Sequence, residues 1–154
     1  MNRARAIATA AVLLFGVLYG VLVAVGLSIL DLLRRVARPH DAVLGFVPGV
    51  AGMHDIDDYP DASPEPGLVV YRYDAPLFFV NVGDMRRRAV LAVEQENASF
   101  PEHPVRWLIL NVEANVEIDI TAADGLRDLY NDLAAVGVRL ALARVKRDLR
   151  IPLE

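Results

Sequence analysis

An uncharged apolar stretch near the start of the chain constrains its fold more than any other feature. It runs from Ala6 to Leu30, 25 residues without a charged side chain, and most of them are Ala, Val, Leu, Ile or Gly. A helix of about 20 apolar residues is long enough to cross the hydrocarbon core of a bilayer, which is roughly 30 Å thick. The stretch therefore predicts one transmembrane helix, and it excludes a uniform globule as the structure of the whole chain.

Two other interpretations of this stretch are weaker. A signal peptide has an apolar region of about 7–15 residues and a cleavage site after it, whereas here the run is longer and is followed by Asp31, Arg34 and Arg35. A buried soluble helix would need a larger partner surface than the rest of the chain offers. Within the stretch, Gly16 and Gly20 form a GxxxG pattern, which predicts a helix-packing face; the alternative is that glycine is simply frequent in membrane helices.

The charges divide the chain in the same way. Residues 1–38 carry five arginines and one aspartate, while residues 39–154 carry 11 basic and 19 acidic side chains. A basic apolar segment before an acidic remainder predicts two parts in two environments. The acidic part argues against nucleic acid as a partner, because phosphate binding needs concentrated positive charge. Two arginines precede the span and three follow it, which favours a cytoplasmic C-terminal side only weakly.

The residues after the span predict a linker and then a small α/β domain. Proline and glycine are frequent from 39 to 66, which is typical of a loop, with a short extended piece at 43–47. From residue 67 onward, strands are predicted at 68–73, 77–80, 105–112 and 138–143. They alternate with helices that begin near Asn81 and Thr121, and another helix start is predicted at 145–149. This alternation predicts a parallel sheet covered by helices.

The inventory of chemically reactive residues is short. The chain has no cysteine, which excludes a disulfide scaffold, a zinc ribbon and a thiol nucleophile, and it has no P-loop and no GxGxxG motif. The acidic run at 55–61 lacks the spacing and glycine of a calcium loop, so a solvated turn is the better interpretation. The arginine triplet at 86–88 is interpreted as a solvated helix face. We therefore predict no catalytic residue, no metal site and no enzymatic activity.

One junction does carry physical interest. Asp119, Thr121 and Ala122 lie where a predicted strand ends and a helix begins. The backbone N–H groups and the dipole of a helix N-terminus favour an anion or a negative group of a partner. The competing interpretation is that Asp119 and Thr121 cap their own helix, as such residues usually do.

An ordered series of motifs runs along the chain: the span, Arg-Pro-His-Asp-Ala-Val-Leu-Gly at 38–45, His-Asp-Ile-Asp-Asp-Tyr-Pro at 54–60, the segment 71–81 and the junction at 119–126. This series resembles the SulP family of sulfate permeases. It covers nearly the whole chain. The chain looks like the last membrane helix of such a permease (residues 1–38), a linker (39–66) and a C-terminally shortened STAS domain (67–154).

The resemblance implies a STAS fold, which is similar to the antagonists of anti-sigma factors. In those antagonists a serine directly after the aspartate is phosphorylated. Here Ile120 follows Asp119, Thr121 matches the second hydroxyl of the pattern, and Ala122 replaces a glycine. The serine switch is therefore absent at its usual place, and nucleotide binding, proposed for some STAS domains, has no residue here that proves it.

The function implied is a part of a sulfate or anion transporter, with the STAS domain regulating or assembling secondary active transport. One helix cannot build the transport pathway, because such pathways are formed by several helices. The expected partners are the membrane and the transmembrane core of a permease or other helices, and a homo-oligomer is left open. The alternative is a membrane-tethered STAS interaction module with no transport role. The expected location is the bacterial inner membrane, as a single-pass protein with a cytoplasmic C-terminal domain.

Overall fold

The structure, a computed structural model, describes residues 2–114 and 118–145. The chain divides into two compact units, residues 1–38 and residues 39–154. The elements, in chain order, are α1 (Asn2–Phe15), α2 (Val17–Ala37), β1 (Asp41–Phe46), β2 (Met53–Asp55), β3 (Leu68–Tyr73), α3 (Val82–Ser99), β4 (Trp107–Asn111), α4 (Ile120–Ala135) and β5 (Arg139–Ala143).

The first unit is a pair of helices, where the sequence predicted one continuous span over Ala6–Leu30. The break is at Gly16, whose φ of 87° is a left-handed conformation that glycine adopts without a steric cost. The start of α1 lies beside the second half of α2, so the chain reverses direction at Gly16. Among the described residues, α2 is the helix that is long and apolar enough to cross a membrane.

The reversal gives the two glycines of the predicted packing face different positions in the helix pair. Gly16 is exposed at the break, and Gly20 is the buried residue of α2. The two remain linked, since the Gly20 N–H donates to the Gly16 carbonyl oxygen at 3.2 Å. A packing role in the helix pair is therefore compatible with Gly20, whereas Gly16 makes the turn.

The second unit contains a five-stranded sheet with the order β2-β1-β3-β4-β5. Strands β3, β4 and β5 run parallel to one another, as the strand–helix alternation predicted, while β1 is antiparallel to both β2 and β3. The predicted strand at 68–73 coincides with β3, and the predicted strands at 105–112 and 138–143 contain β4 and β5.

The two faces of the sheet are unequal, because successive side chains of a strand point to opposite sides. Val69, Tyr71 and Tyr73 of β3 belong to the large core that includes the buried faces of α3 and α4. Val70 belongs to a small cluster on the other face, with Ala42 and Leu44 of β1. Helices α3 and α4 therefore cover one face, and their N-termini follow the carboxyl ends of β3 and β4.

The structure differs from the predicted linker over residues 39–66. This segment supplies β1, whose residues from Asp41 to Leu44 pair with β3, and β2, which pairs with β1. The prediction was misled by frequent proline and glycine, which here form the turns between short strands. Gly45 shows how closely they pack, because a Cβ atom on it would lie 2.9 Å from the backbone carbon of Ser63.

Two further expectations have different outcomes. The predicted strand at 77–80 is wrong: Leu77 makes an isolated bridge with Ile118, and the residues after it form a turn. The turn is closed by the Asn81 side chain, which accepts a hydrogen bond from the Phe78 N–H and donates one to the Pro76 carbonyl oxygen, each at 3.0 Å. The helix start predicted at 145–149 lies outside the described residues except for its first residue.

Candidate functional site

The sequence-predicted junction lies at the N-terminus of α4. Asp119 is the N-cap residue, with an extended backbone before the first helical turn. Its Oδ1 accepts a hydrogen bond from the Ala122 N–H at 2.7 Å. Ala122 is fully buried, and Thr121 is exposed on the first turn. The self-capping interpretation therefore describes Asp119, and binding of an anion or a partner's negative group at Thr121 stays a prediction.

Asp119 also ties the two loops at this edge of the sheet together. Its Oδ2 accepts a hydrogen bond from the Phe79 N–H at 3.0 Å, across 40 residues of sequence. The loop that contributes Phe79 is held by the fully buried Asn81. One carboxylate thus caps α4 and fixes the β3–α3 loop beside it, a double role that a cap motif alone does not predict.

The helices α3 and α4 also approach each other closely near their N-termini. A Cβ atom on Gly125 of α4 would lie 2.4 Å from Cγ2 of Val82, the first residue of α3. Only a residue without a Cβ allows this approach, since real Cβ atoms do not come so near another carbon. Gly125 therefore sets the distance between the two helix N-termini that frame the junction.

Apolar side chains surround this junction at the surface. Ile120 is 85% exposed and Phe79 is 70% exposed, and Val80 beside Phe79 is 38% exposed. We call these three residues the apolar patch. An exposed group of large apolar side chains at a fixed loop pair is typical of a contact surface for another protein or a membrane. The sequence pattern does not predict this surface, because it indicates a strand for the apolar residues 77–80.

A second group of charged side chains is enclosed between the sheet and α3. Arg88 of α3 forms ion pairs with Asp41 of β1 and with Asp84, whose Oδ2 lies 2.9 Å from the Arg88 Nε. The Tyr71 hydroxyl donates a hydrogen bond to the Asp41 carboxylate at 2.6 Å. The Tyr73 hydroxyl lies 3.4 Å from the Asp84 carboxylate. We call these five residues the Arg88 network.

The ionisation states in the Arg88 network follow from its burial. Burial raises the pKa of Tyr71 well above its usual 10.0, and the Asp41 hydrogen bond raises it further. Burial also raises the pKa of Tyr73, with the charge of Asp84 adding to the shift. Burial alone would lower the pKa of Arg88, but Asp41 and Asp84 outweigh it and raise that pKa. The network therefore holds one cation between two anions and has no surplus positive charge for an anionic ligand.

Arg86 makes a similar connection between α3 and α4. Its Nε lies 2.6 Å from Asp132 Oδ2, and its Nη1 lies 2.8 Å from Asp128 Oδ2. The hydrogen bond from Arg86 lowers the pKa of Asp132 below the usual 3.8. The interpretation of residues 86–88 as a solvated face therefore fits Arg87 alone, since Arg86 and Arg88 join separate elements. The aspartates that join these two arginines to other elements lie more than 40 residues away in sequence, which is why spacing does not reveal these ion pairs.

The acidic run at 55–61 does not form a metal site. Asp55 is buried, accepts a hydrogen bond from the Asp57 N–H at 2.9 Å and lies 3.1 Å from the His40 Nε2. Asp57, Asp58 and Asp61 are exposed. Within the described ranges, no three histidine, aspartate or glutamate side chains are placed to hold a metal ion.

Comparison with known proteins places this geometry in a family. The STAS domain family matches residues 59–154. The chain is 63% identical over 142 residues to a probable sulfate transporter of Mycobacterium tuberculosis, covering 92% of this chain and 24% of that protein. It is 32% identical over 145 residues to the probable sulfate transporter 4.2 of Arabidopsis thaliana, covering 92% of this chain and 21% of that protein. The chain thus spans about a quarter of the length of these relatives.

The fold is similar to that of a solved structure. The murine Slc26a9 anion transporter in its inward-facing state superposes with a TM-score of 0.72, at 21% identity, over 88% of this chain and 21% of that one. These findings confirm the resemblance to the SulP family drawn from the sequence, and the chain belongs to the STAS domain family.

Proposed function

We propose that this chain is the C-terminal part of a SulP-type sulfate or anion transporter, in which the STAS domain regulates or assembles secondary active transport. The observation that carries the proposal is the union, in one chain, of an apolar helix pair and a STAS domain. The relatives that match both units are named as sulfate transporters. Such a pathway needs more helices than α1 and α2 provide, so the helix pair would pack against the rest of a permease core.

The proposed role is binding and positioning, without catalysis. The aspartate carboxylates beside Arg88 and Arg86 are occupied by ion pairs with these arginines. Asp119 uses both of its oxygens for backbone N–H groups. The junction at α4 is held by the two hydrogen bonds of Asp119 and carries the apolar patch. These properties suit a surface that contacts another part of a transporter. We expect no cofactor, and nucleotide binding, which has been proposed for some STAS domains, is not required by any residue geometry in the described ranges.

We place the helix pair in the bacterial inner membrane, with the STAS domain in the cytoplasm. Because the chain reverses at Gly16, the arginines at the start of α1 and those late in α2 share one end of the helix pair. The positive-inside rule then favours one orientation, in which this arginine-rich end faces the cytoplasm. In the single-pass arrangement expected from the sequence, the two arginine groups would lie on opposite sides of the membrane and would favour opposite orientations.

The transporter proposal is tested by complementation. A SulP permease core truncated before the region matched by this chain is co-expressed with the chain in a strain that lacks sulfate uptake. We expect labelled sulfate uptake to recover and the two polypeptides to co-purify in mild detergent. No recovery together with no association would overturn the proposal, provided that both polypeptides reach the membrane.

The contact role of the apolar patch is tested in the same system. Ile120→Ser and Phe79→Ser should each weaken co-purification. The matched control is Val136→Ser, because Val136 is 70% exposed and follows the other end of α4. Equal loss in all three variants would argue against a specific contact at the patch.

A membrane-tethered STAS interaction module is the second candidate. The exposed apolar patch favours it as well, since such a surface fits a soluble partner as readily as a permease core. Association with a defined soluble partner through Ile120, without any effect on sulfate uptake, would support this candidate over the first.

A further inference from the structure

A groove between the two helices of the first unit combines positive charge with an apolar wall. It has a volume of about 500 Å³ and lies between the start of α1 and the second half of α2. Three arginines line its polar end, Arg5 from α1 and Arg34 and Arg35 from α2. Ala24, Leu27 and Leu30 line its apolar side.

The arginines of this groove are incompletely neutralised. Arg35 pairs with Asp31 at 3.0 Å, and both side chains are largely exposed, at 75% and 62%. An exposed pair of this kind gains little energy and can exchange partners. Among the described residues, no acidic side chain pairs with Arg5 or Arg34 within 4.0 Å. The groove therefore presents three cations against one anion.

We propose that this groove binds the headgroup phosphate of an anionic phospholipid. Basic pockets between membrane helices on the cytoplasmic side suit such headgroups, and arginine binds phosphate oxygens through its planar fork of N–H donors. The apolar wall formed by Ala24, Leu27 and Leu30 would contact the upper part of an acyl chain. A zwitterionic lipid fits less well, because its choline group adds a cation to a groove that already has an excess of positive charge.

The proposal rests on the membrane location in the proposed function. The experiment uses the full chain reconstituted into phosphatidylcholine vesicles that contain either spin-labelled phosphatidylglycerol or spin-labelled phosphatidylcholine. Electron spin resonance measures the fraction of each labelled lipid that is immobilised by the protein. We expect phosphatidylglycerol to be preferred several-fold, because one arginine at a membrane surface is worth about 1 kcal/mol, or about fivefold in affinity.

Matched variants separate the groove from general surface charge. Arg5→Gln and Arg34→Gln should each reduce the preference about fivefold or abolish it. Arg38→Gln removes the same charge at the C-cap of α2, outside the groove lining, and should retain most of the preference. An equal reduction in Arg38→Gln and Arg34→Gln would overturn a site in the groove.

Two further measurements distinguish a failure of the lipid proposal from a failure of the proposed membrane location. If the inserted chain binds inorganic phosphate at millimolar concentration but shows no preference for phosphatidylglycerol in its absence, the arginines bind the free ion and the lipid proposal is overturned. Carbonate extraction of the same vesicles reports membrane insertion. A chain that is extracted contradicts the proposed membrane location, whereas a chain that stays inserted without lipid preference contradicts the lipid site alone.

Discussion

The close approach of α3 and α4 gives the sharpest test of how the candidate site is positioned. Replacing Gly125 with alanine places a Cβ atom 2.4 Å from Val82 Cγ2 and 3.2 Å from Val82 Cγ1. Val82 is buried, and it is the first residue of a helix, so it cannot move without moving α3. The substitution therefore forces the two helices apart or forces Val82 out of its rotamer.

The expected change in the free energy of unfolding follows from two opposed effects. Overpacking of this kind costs about 1–3 kcal/mol, and replacing glycine by alanine inside a helix gains about 1 kcal/mol. We expect Gly125→Ala to lower the free energy of unfolding by about 0–2 kcal/mol. Gly83→Ala is the matched control, because Gly83 is also helical and a Cβ atom there meets no heavy atom within 4 Å. It should raise the free energy of unfolding by up to about 1 kcal/mol.

Urea unfolding of the full chain in detergent micelles measures both variants. Trp107 is the single tryptophan and lies in β4, so its fluorescence reports unfolding of the STAS domain. A difference of about 2 kcal/mol between the two variants corresponds to a midpoint difference of about 1 M urea. In a Val82→Ala background the penalty of Gly125→Ala should disappear, giving a coupling energy of about 1–3 kcal/mol.

Two results would refute the reasoning. One is a stabilisation by Gly125→Ala as large as that by Gly83→Ala. The other is an unchanged effect of Gly125→Ala when Val82 is already alanine. Either would mean that the helix N-termini do not approach as closely as the structure shows.

Three other predictions concern the charged groups. Arg88→Met leaves two largely buried aspartates without their cation and should cost about 2–4 kcal/mol in urea unfolding, whereas Arg127→Met, at an exposed ion pair, should change stability by less than about 0.5 kcal/mol. Carbon NMR should show the pKa of Asp132 below 3.8 in this chain and closer to 3.8 in Arg86→Gln. The ionised Asp132 stabilises the fold above the pKa that it has in the unfolded chain, and this stabilisation is lost as the pH falls through its pKa in the folded protein. Asp119→Ala should cost about 1–2 kcal/mol by removing the N-cap, and Asp119→Asn should cost less, because an amide keeps one acceptor oxygen for the two N–H donors.

The sequence predicted the elements whose signal is local. Strand β3 was predicted over its full length because 68–73 is a run of β-forming residues bounded by Gly67 and Asp74. Strand β5 lies within the predicted strand at 138–143, which directly follows Gly137, a residue with a φ of 78°. Asp119 was assigned to the start of α4 because aspartate is a preferred N-cap residue. In each case a few neighbouring residues decide the backbone conformation.

The sequence-based predictions are wrong where contacts beyond the local sequence pattern decide the backbone conformation. Composition favours a loop for 39–66, yet Asp41–Phe46 is a strand because β3 supplies the hydrogen bonds along one edge and β2 those along the other. The apolar run at 77–80 has the composition of a strand, yet the Asn81 side chain closes it into a turn. In the first unit, hydropathy does not register the left-handed Gly16 that divides one apolar run into two helices.

The Arg88 network gives a physical reason for the placement of β1. A strand has a side-chain period of two, so a slip of one residue would move Ala42 and Leu44 to the wrong face. Their small apolar cluster is a modest barrier to such a slip. The ion pair of Asp41 with Arg88 adds a stronger one, because a slipped Asp41 would leave the enclosed Arg88 and the Tyr71 hydroxyl without their acceptor.

The same network fixes the chain where it joins the STAS domain. The Arg88 Nη1 donates to the Pro39 carbonyl oxygen at 3.4 Å, and the Asp74 N–H donates to the His40 carbonyl oxygen at 3.0 Å. Together with Asp41, three consecutive residues are therefore held by α3 and by the end of β3. A buried ion pair is weak evidence for stability, since apolar replacements are often neutral or better. Its value here lies in specificity, because it defines one position for residues 39–41 against α3 and the end of β3.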